Sequence, residues 1–237
     1  MSQKSEQLIG LLDYARDETE KFYAALPESE RLANGTWETW APKDFLAHFT
    51  FWQYQSVAVL NALDAAPPEE PPFEERNRAN WLNNETRAYA DIYADYTRAM
   101  NELRAGVETK SDTELSEPQH FPRLPNGSLQ GNILGNAYSH TLAHIAELYS
   151  KRNSGTAGYA LQEEATQKVI AFDPSPRAKG TALYNLACAY ALAGNAGRTV
   201  ELLREAFPLR PDLVEFSKED GDFNLVRDVP EFQALYN

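Results

Sequence analysis

Apolar residues recur at steps of three and four positions through long stretches of this chain, the spacing of one face of an α-helix. In the first stretch the pattern stops at Pro27. Its positions are Leu8, Leu11, Leu12, Ala15, Thr19 and Phe22. The same helical spacing continues in the later stretches, so the sequence predicts an all-α fold.

Prolines divide the first 152 residues into four helical segments. Pro42 opens the second in its first turn, where a missing N–H costs nothing, and the Pro-rich stretch 64–75 ends it. A single long helix is predicted over about residues 75–106, and the fourth helix includes residues 135–152. Four helices of about 20–30 residues predict a four-helix bundle.

The connection over residues 111–130 contains three prolines and an Asn-Gly pair. Connections of this length in compact domains are often lids or binding edges. It enters the fourth helix about two or three turns before His140. We therefore expect this connection to border a site in the bundle.

The small-residue stretch "RNSGTAGY" predicts a boundary between a bundle over residues 1–153 and an extension over residues 154–237. In the extension, five positions match the 34-residue tetratricopeptide pattern. They are Leu186, Tyr190, Gly194, Ala206 and Pro211. The pattern predicts a C-terminal tetratricopeptide-like helical hairpin, a type of surface that could recruit a protein partner.

Composition narrows the classes of function. The chain has 22 basic and 35 acidic residues, a net charge of −13, which argues against nucleic-acid binding because neither half offers a basic face. No stretch approaches the roughly 20 apolar residues of a membrane span, and the N-terminus becomes charged too soon for a signal peptide. The single cysteine, Cys188, favours a cytoplasmic protein and a buried structural thiol.

Three of the four histidines are placed to face one another. His140 and His144 lie one helical turn apart, the spacing that lets two imidazoles bind one ion. His48 falls on the aromatic stripe of the second helix. Three imidazoles from two helices would leave open coordination positions for water or substrate. The alternative is that these rings are polar core residues satisfied by carbonyl or hydroxyl groups.

Two other polar residues, Glu147 and His120, lie near this triad in the sequence or in the long connection that precedes the fourth helix. Glu147, three residues after His144, could accept a proton from a bound water, or it could be a solvated charge at a helix end. His120 lies between two prolines of the long connection and is expected to be an exposed loop histidine.

The stretches "GTWETWAPKDFLAHFTFW" and "LGNAYSHTLAHIAELY" resemble the DinB-like family of four-helix bundles, with a looser match in the third helix. This family includes relatives of thiol-dependent S-transferases, maleylpyruvate isomerases and the ClbS/DfsB bundle proteins. Its metal-binding members take one histidine from helix two and an HxxxH pair from helix four. The resemblance thus implies that His48, His140 and His144 are metal ligands.

The resemblance also implies a function. It predicts a divalent-metal-dependent enzyme, of thiol transferase or hydrolase type, that acts on a small electrophile in stress or detoxification. The metal would be zinc, nickel or iron, and a low-molecular-weight thiol would serve as cosubstrate. Such bundles often pair through helices, which leaves a homodimer open. The rival hypothesis is a non-enzymatic small-molecule-binding or protective module with a protein-interaction tail.

Overall fold

The structure, a computed structural model, describes residues 1–152 and 155–236. Every regular element within those residues is helical, which confirms the predicted all-α class. The chain falls into two compact units, Met1–Leu148 and Tyr149–Asn237. The boundary predicted at residues 153 and 154 lies outside the described residues. Within the described part of the chain, no helix combines the length and apolarity needed to cross a membrane.

The helices of the first part of the chain are α1 (Gln3–Ala24), α2 (Glu28–Arg31), α3 (Pro42–Asn61), α4 (Phe73–Asn84), α5 (Tyr89–Glu108), α6 (Asp112–Ser116), α7 (Leu129–Ile133) and α8 (His140–Lys151). A π-helical segment, Leu134–Ser139, joins α7 to α8. Helix α5 packs on α1 and α3, and the π segment also packs on both of these helices. These helices therefore surround a shared core.

Helix α1 follows the predicted pattern. The Ser2 side chain accepts a hydrogen bond from the Ser5 backbone N–H and caps the first turn. The helix ends at Ala24, before Pro27. All six residues of the predicted stripe are buried, and they are Leu8, Leu11, Leu12, Ala15, Thr19 and Phe22. Burial of this face against the neighbouring helices is what stabilises α1.

Helix α3 begins at Pro42, as predicted, and its first turn is fixed by Asp44. The Asp44 carboxylate accepts hydrogen bonds from the backbone N–H groups of Gly35 and Ala41, each at 2.9 Å. A Cβ at Gly35 would collide with this carboxylate and with the Ala41 backbone, so the close approach requires glycine. The turn that precedes α3 is thereby held against its N-terminus.

The single long helix predicted over residues 75–106 is wrong, because the chain breaks at residues 85–88 between α4 and α5. The break is held by a tertiary contact. Buried Lys43 donates from Nζ to the carbonyl oxygens of Glu85 and Arg87, at 3.0 and 3.1 Å, and to the Asn34 side chain. These carbonyl groups accept hydrogen bonds from Lys43 and not from the backbone N–H groups of a continuing helix. Lys43, which is distant in sequence, therefore helps to end α4.

The connection over residues 111–130 contains α6 and lies elsewhere than expected. Arg123 donates hydrogen bonds to the carbonyl oxygens of Leu63 and Ala66, just beyond the end of α3. Leu63 is fifteen positions after His48, which corresponds to about 22 Å along a helix axis. This connection therefore contacts the part of the chain remote from His48, and these contacts do not support the expected lid.

The second part of the chain contains α9 (Gly155–Phe172), α10 (Pro176–Leu192), α11 (Ala196–Ala206), α12 (Asp212–Glu219), α13 (Pro230–Gln233) and two short 3-10 turns, Gly221–Phe223 and Ala234–Tyr236. Helices α10 and α11 form a hairpin in which Ala187 and Ala206 are completely buried. Gly194 occupies the turn with φ of 71°, a left-handed conformation that favours glycine. A helical hairpin is thus present, with small residues at the helix contact, and its tetratricopeptide-like character stays a prediction.

Candidate metal centre

Three imidazole rings from α3 and α8 converge on one point. The Nε2 atom of His140 lies 3.0 Å from Nε2 of His48 and 3.2 Å from Nε2 of His144. In tetrahedral zinc sites with Zn–N distances of about 2.0–2.1 Å, two ligand nitrogens lie about 3.3 Å apart. The observed spacing is close to that value. The structure therefore brings together the three histidines that the sequence singled out.

Hydrogen bonds alone cannot satisfy this arrangement. A ring nitrogen of a neutral imidazole carries either one proton or one lone pair, so it makes one good hydrogen bond. The Nε2 atom of His140 faces two other Nε2 atoms and can pair with only one of them. A single cation could accept the lone pairs of all three nitrogens. The donor set thus fits a metal ion better than a hydrogen-bonded cluster.

Glu147 orients one of the rings. Its Oε2 atom lies 2.9 Å from Nδ1 of His144, the ring nitrogen that faces away from the other two histidines. A carboxylate at this position keeps the proton on Nδ1 and leaves the lone pair on Nε2, as in many metal sites. The proton-acceptor role predicted for Glu147 stays a prediction, and the observed contact favours an orienting role.

Burial keeps two of the rings neutral. His48 is 4% exposed, and desolvation, with smaller effects from the other two histidines, lowers its pKa to about 2. Desolvation and His144 lower the pKa of His140 to about 3, although a hydrogen bond to the Asn136 backbone acts in the opposite direction. Neutral imidazole is the form that binds a metal. Both rings are therefore in that form at neutral pH without any ion present.

The Nδ1 atom of His48 is buried and has no hydrogen-bond partner within residues 1–152 and 155–236. Burying a polar atom in this way costs free energy. A purely structural role for His48 would normally provide such a partner. Its absence among the described residues weighs against the reading of His48 as a satisfied core residue.

The π segment sets where His140 points. The His140 backbone N–H donates to the Gly135 carbonyl, five residues earlier, so the helix is widened immediately before His140 and His144. A polar network fixes the widened turn to α3: Ser56 donates to Asn132 at 2.9 Å, and Asn136 donates to Ser56 at 3.1 Å. Apolar spacing in the sequence does not reveal this network, although Asn132 and Asn136 are an i,i+4 polar pair beside apolar residues.

Aromatic rings enclose the histidines. The Trp40 ring centroid lies 5.0 Å from that of His48, and the Trp52 centroid lies 6.0 Å from that of His140. Phe45 and Phe49 pack on the His144 ring at 5.3 and 6.0 Å. The His144 side chain keeps 27% of its surface exposed. The cluster is therefore walled by apolar rings and reaches solvent beside His144.

The other candidate residues lie outside this cluster. Exposed His120 contacts Glu117, with Nδ1 to Oε2 at 3.2 Å, as expected for a loop histidine. Cys188 is buried near Asp220 and Asp222, and burial together with these carboxylates raises the pKa of its thiol. A thiol held protonated is a poor nucleophile, which agrees with the structural role predicted for Cys188.

Comparisons with protein-family models, with curated proteins and with solved structures find no match to this chain. The similarity of two segments to DinB-like bundles therefore stays an expectation.

Replacing Glu147 by glutamine is expected to weaken zinc affinity about tenfold, because groups that orient a ligand typically contribute 10–100-fold. A competition titration against a chelating dye measures this change. Glu117→Gln is a matched control, since Glu117 makes the same type of contact with His120. An equal loss in both variants, or no loss in Glu147→Gln, would show that Glu147 does not orient a ligand.

Proposed function

We propose that the N-terminal unit is a DinB-like four-helix bundle that binds one divalent ion, zinc, nickel or iron, through His48, His140 and His144. The observation that carries this proposal is the approach of three Nε2 atoms, at 3.0 and 3.2 Å from the central one. On this basis we propose a thiol transferase or hydrolase that acts on a small electrophile in detoxification or stress, with a low-molecular-weight thiol as cosubstrate in the transferase case.

The residues of the chain have distinct parts in this proposal. A bound ion would act as a Lewis acid and lower the pKa of a water or thiol. His48 supplies the most buried ligand, and Glu147 holds the His144 ring in the tautomer that directs its lone pair inward. Trp40 and Trp52 exclude water from the inner side of the cluster. A small apolar molecule entering beside His144 would meet this aromatic wall.

The second candidate function is a binding or protective module without turnover. It is favoured by the aromatic rings around the histidines, because these rings dominate the surroundings of the cluster and could sequester a small molecule.

In either case we propose a cytoplasmic protein, since Cys188 is kept as a buried thiol. We also propose that the tetratricopeptide-like hairpin of α10 and α11 recruits a protein partner, and that the chain could act as a homodimer.

Metal binding is tested by equilibrium dialysis of chelator-treated protein against zinc, nickel or ferrous ion. We expect one ion per chain and a rise in melting temperature, because the ion binds the folded state. Absence of binding for all three ions would contradict the proposal. If metal binds, catalytic consumption of glutathione with a small electrophile, abolished in His140→Ala, supports the transferase, and stoichiometric binding without turnover supports the module.

A further inference from the structure

Helix α4 lies antiparallel to α3 beside the histidine cluster. At one end the Phe73 ring lies 5.5 Å from the Trp52 ring, and further along Asn80 donates to the Ala47 carbonyl at 3.4 Å. This register places Asn77 opposite the part of α3 between residues 47 and 52, which contains His48. We call the line of contact between α3 and α4, from Phe73 to Trp81, the seam.

The seam is loosely packed. Every residue of α4 is at least partly exposed, and the hydrogen bond from Asn80 is long. A cavity of about 150 Å³ lies beside the seam and is lined in part by Ala47, Phe51 and Asn80. Helix α4 therefore covers α3 without forming a closed core with it.

Three buried polar atoms along the seam have no hydrogen-bond partner among the described residues of the chain. They are Nε1 of Trp52, Oδ1 of Asn77 and Nε1 of Trp81. Two of them are donors and one is an acceptor. Buried polar atoms in proteins are normally paired. Such atoms on both helices of a loosely packed contact, one on α3 and two on α4, therefore indicate a place where another molecule supplies the partners.

The seam is continuous with the wall of the histidine cluster. Trp81 packs on Trp37 at 6.3 Å, Trp37 packs on Trp40 at 5.8 Å, and Trp40 packs on His48. At the other end the Arg76 guanidinium lies 4.9 Å from the centre of the Trp52 ring and donates to Gln55. This cation lies over the Trp52 ring, so a favourable cation–π contact holds the indole at this end of the seam.

We propose that the seam binds the organic part of the molecule that occupies the open coordination position of the histidine cluster. The unpaired groups of the seam and its aromatic rings select a small, planar, unsaturated molecule. This molecule carries a hydrogen-bond acceptor for an indole N–H and a hydrogen-bond donor for the Asn77 side-chain carbonyl. The rings of Trp40 and Trp52 provide the stacking surfaces. This inference rests on the proposed function, because the ligand is held jointly by the ion and by the seam.

The test uses the full chain loaded with Co²⁺, whose visible absorption reports ligand exchange at the ion. The probe is benzohydroxamate, a planar aromatic chelator that keeps one N–H, and acetohydroxamate is the comparison without the ring. We expect Asn77→Leu to bind Co²⁺ as the wild type does and to bind benzohydroxamate about fivefold more weakly, the effect of one lost neutral hydrogen bond. Acetohydroxamate is expected to bind the wild type more weakly than benzohydroxamate.

Asn77→Leu is also expected to raise the melting temperature of the ligand-free protein, because it removes an unpaired buried carbonyl. Asn83→Leu is the matched control on the exposed side of α4, and it gives the part of the rise due to helix propensity. Trp81→Phe, which keeps a ring but removes the N–H, is expected to weaken benzohydroxamate binding in the same way.

The proposal is overturned if both Asn77→Leu and Trp81→Phe bind benzohydroxamate within twofold of the wild type while Co²⁺ binding is normal. It is also overturned if Asn77→Leu lowers the melting temperature and leaves probe affinity unchanged, since ordered water would then satisfy the carbonyl. If the wild type binds no Co²⁺, the metal site itself is wrong and this inference falls with it. The two failures are therefore distinguishable.

Discussion

Replacing His140 by alanine is expected to weaken zinc binding by a hundredfold or more. His140 is the ring whose Nε2 approaches Nε2 of both other histidines, so its loss would leave two nitrogens without the central donor. Apparent zinc binding energies of about 10–16 kcal/mol, shared among four ligands, correspond to about 3 kcal/mol or more for each ligand. Competition with a chelating dye at pH 7 measures the change.

His120→Ala is the control for this experiment, because His120 lies in a loop and contacts Glu117. It should bind zinc as tightly as the wild type. A structural role for His140 would give a different pattern, in which the variant is destabilised equally with and without zinc. Zinc affinity of His140→Ala within about threefold of the wild type, less than 1 kcal/mol, would exclude His140 as a ligand.

Metal-free protein is expected to lose about 4 kcal/mol of unfolding free energy between pH 7 and pH 5 from His48 and His140 together. Burial lowers their pKa values to about 2 and 3, whereas an unfolded histidine has a pKa of about 6.5. As pH falls below 6.5, the unfolded chain binds protons that the folded chain does not bind. The stability is therefore present above pH 6.5 and is lost as the pH falls towards 3.

Urea unfolding of chelator-treated protein at the two pH values measures this loss. His48→Gln should reduce the pH-dependent loss by about 2 kcal/mol, because glutamine does not titrate. His120→Gln should show the loss of the wild type, because His120 is not buried in the cluster. A pH-dependent loss that is the same in His48→Gln and in the wild type would show that His48 is not held neutral by burial.

The histidine cluster could be predicted because helical periodicity fixes which residues share a face. The four-residue spacing of His140 and His144 and the aromatic stripe around His48 depend only on local structure. The all-α class, the end of α1 before Pro27 and the start of α3 at Pro42 follow from the same periodicity and from prolines. In each of these cases the neighbours that matter lie within a few positions in the sequence.

Features that depend on distant partners could not be predicted. The break between α4 and α5 is held by Lys43, which lies some forty residues earlier in the chain. The π segment before His140 is fixed by Ser56, and nothing in the spacing of apolar residues marks a widened turn. The place of residues 111–130 follows from the contacts of Arg123 near the end of α3. Tertiary contacts override local pattern at these sites.

X-ray diffraction from crystals soaked in zinc, with anomalous data collected at the zinc edge, tests the central claim most directly. We predict an anomalous peak at about 2.0–2.1 Å from the Nε2 atoms of His48, His140 and His144 together. The Glu147 carboxylate should remain on Nδ1 of His144 in that structure. Zinc found only at other residues, with the three rings unoccupied at saturating metal, would contradict the account.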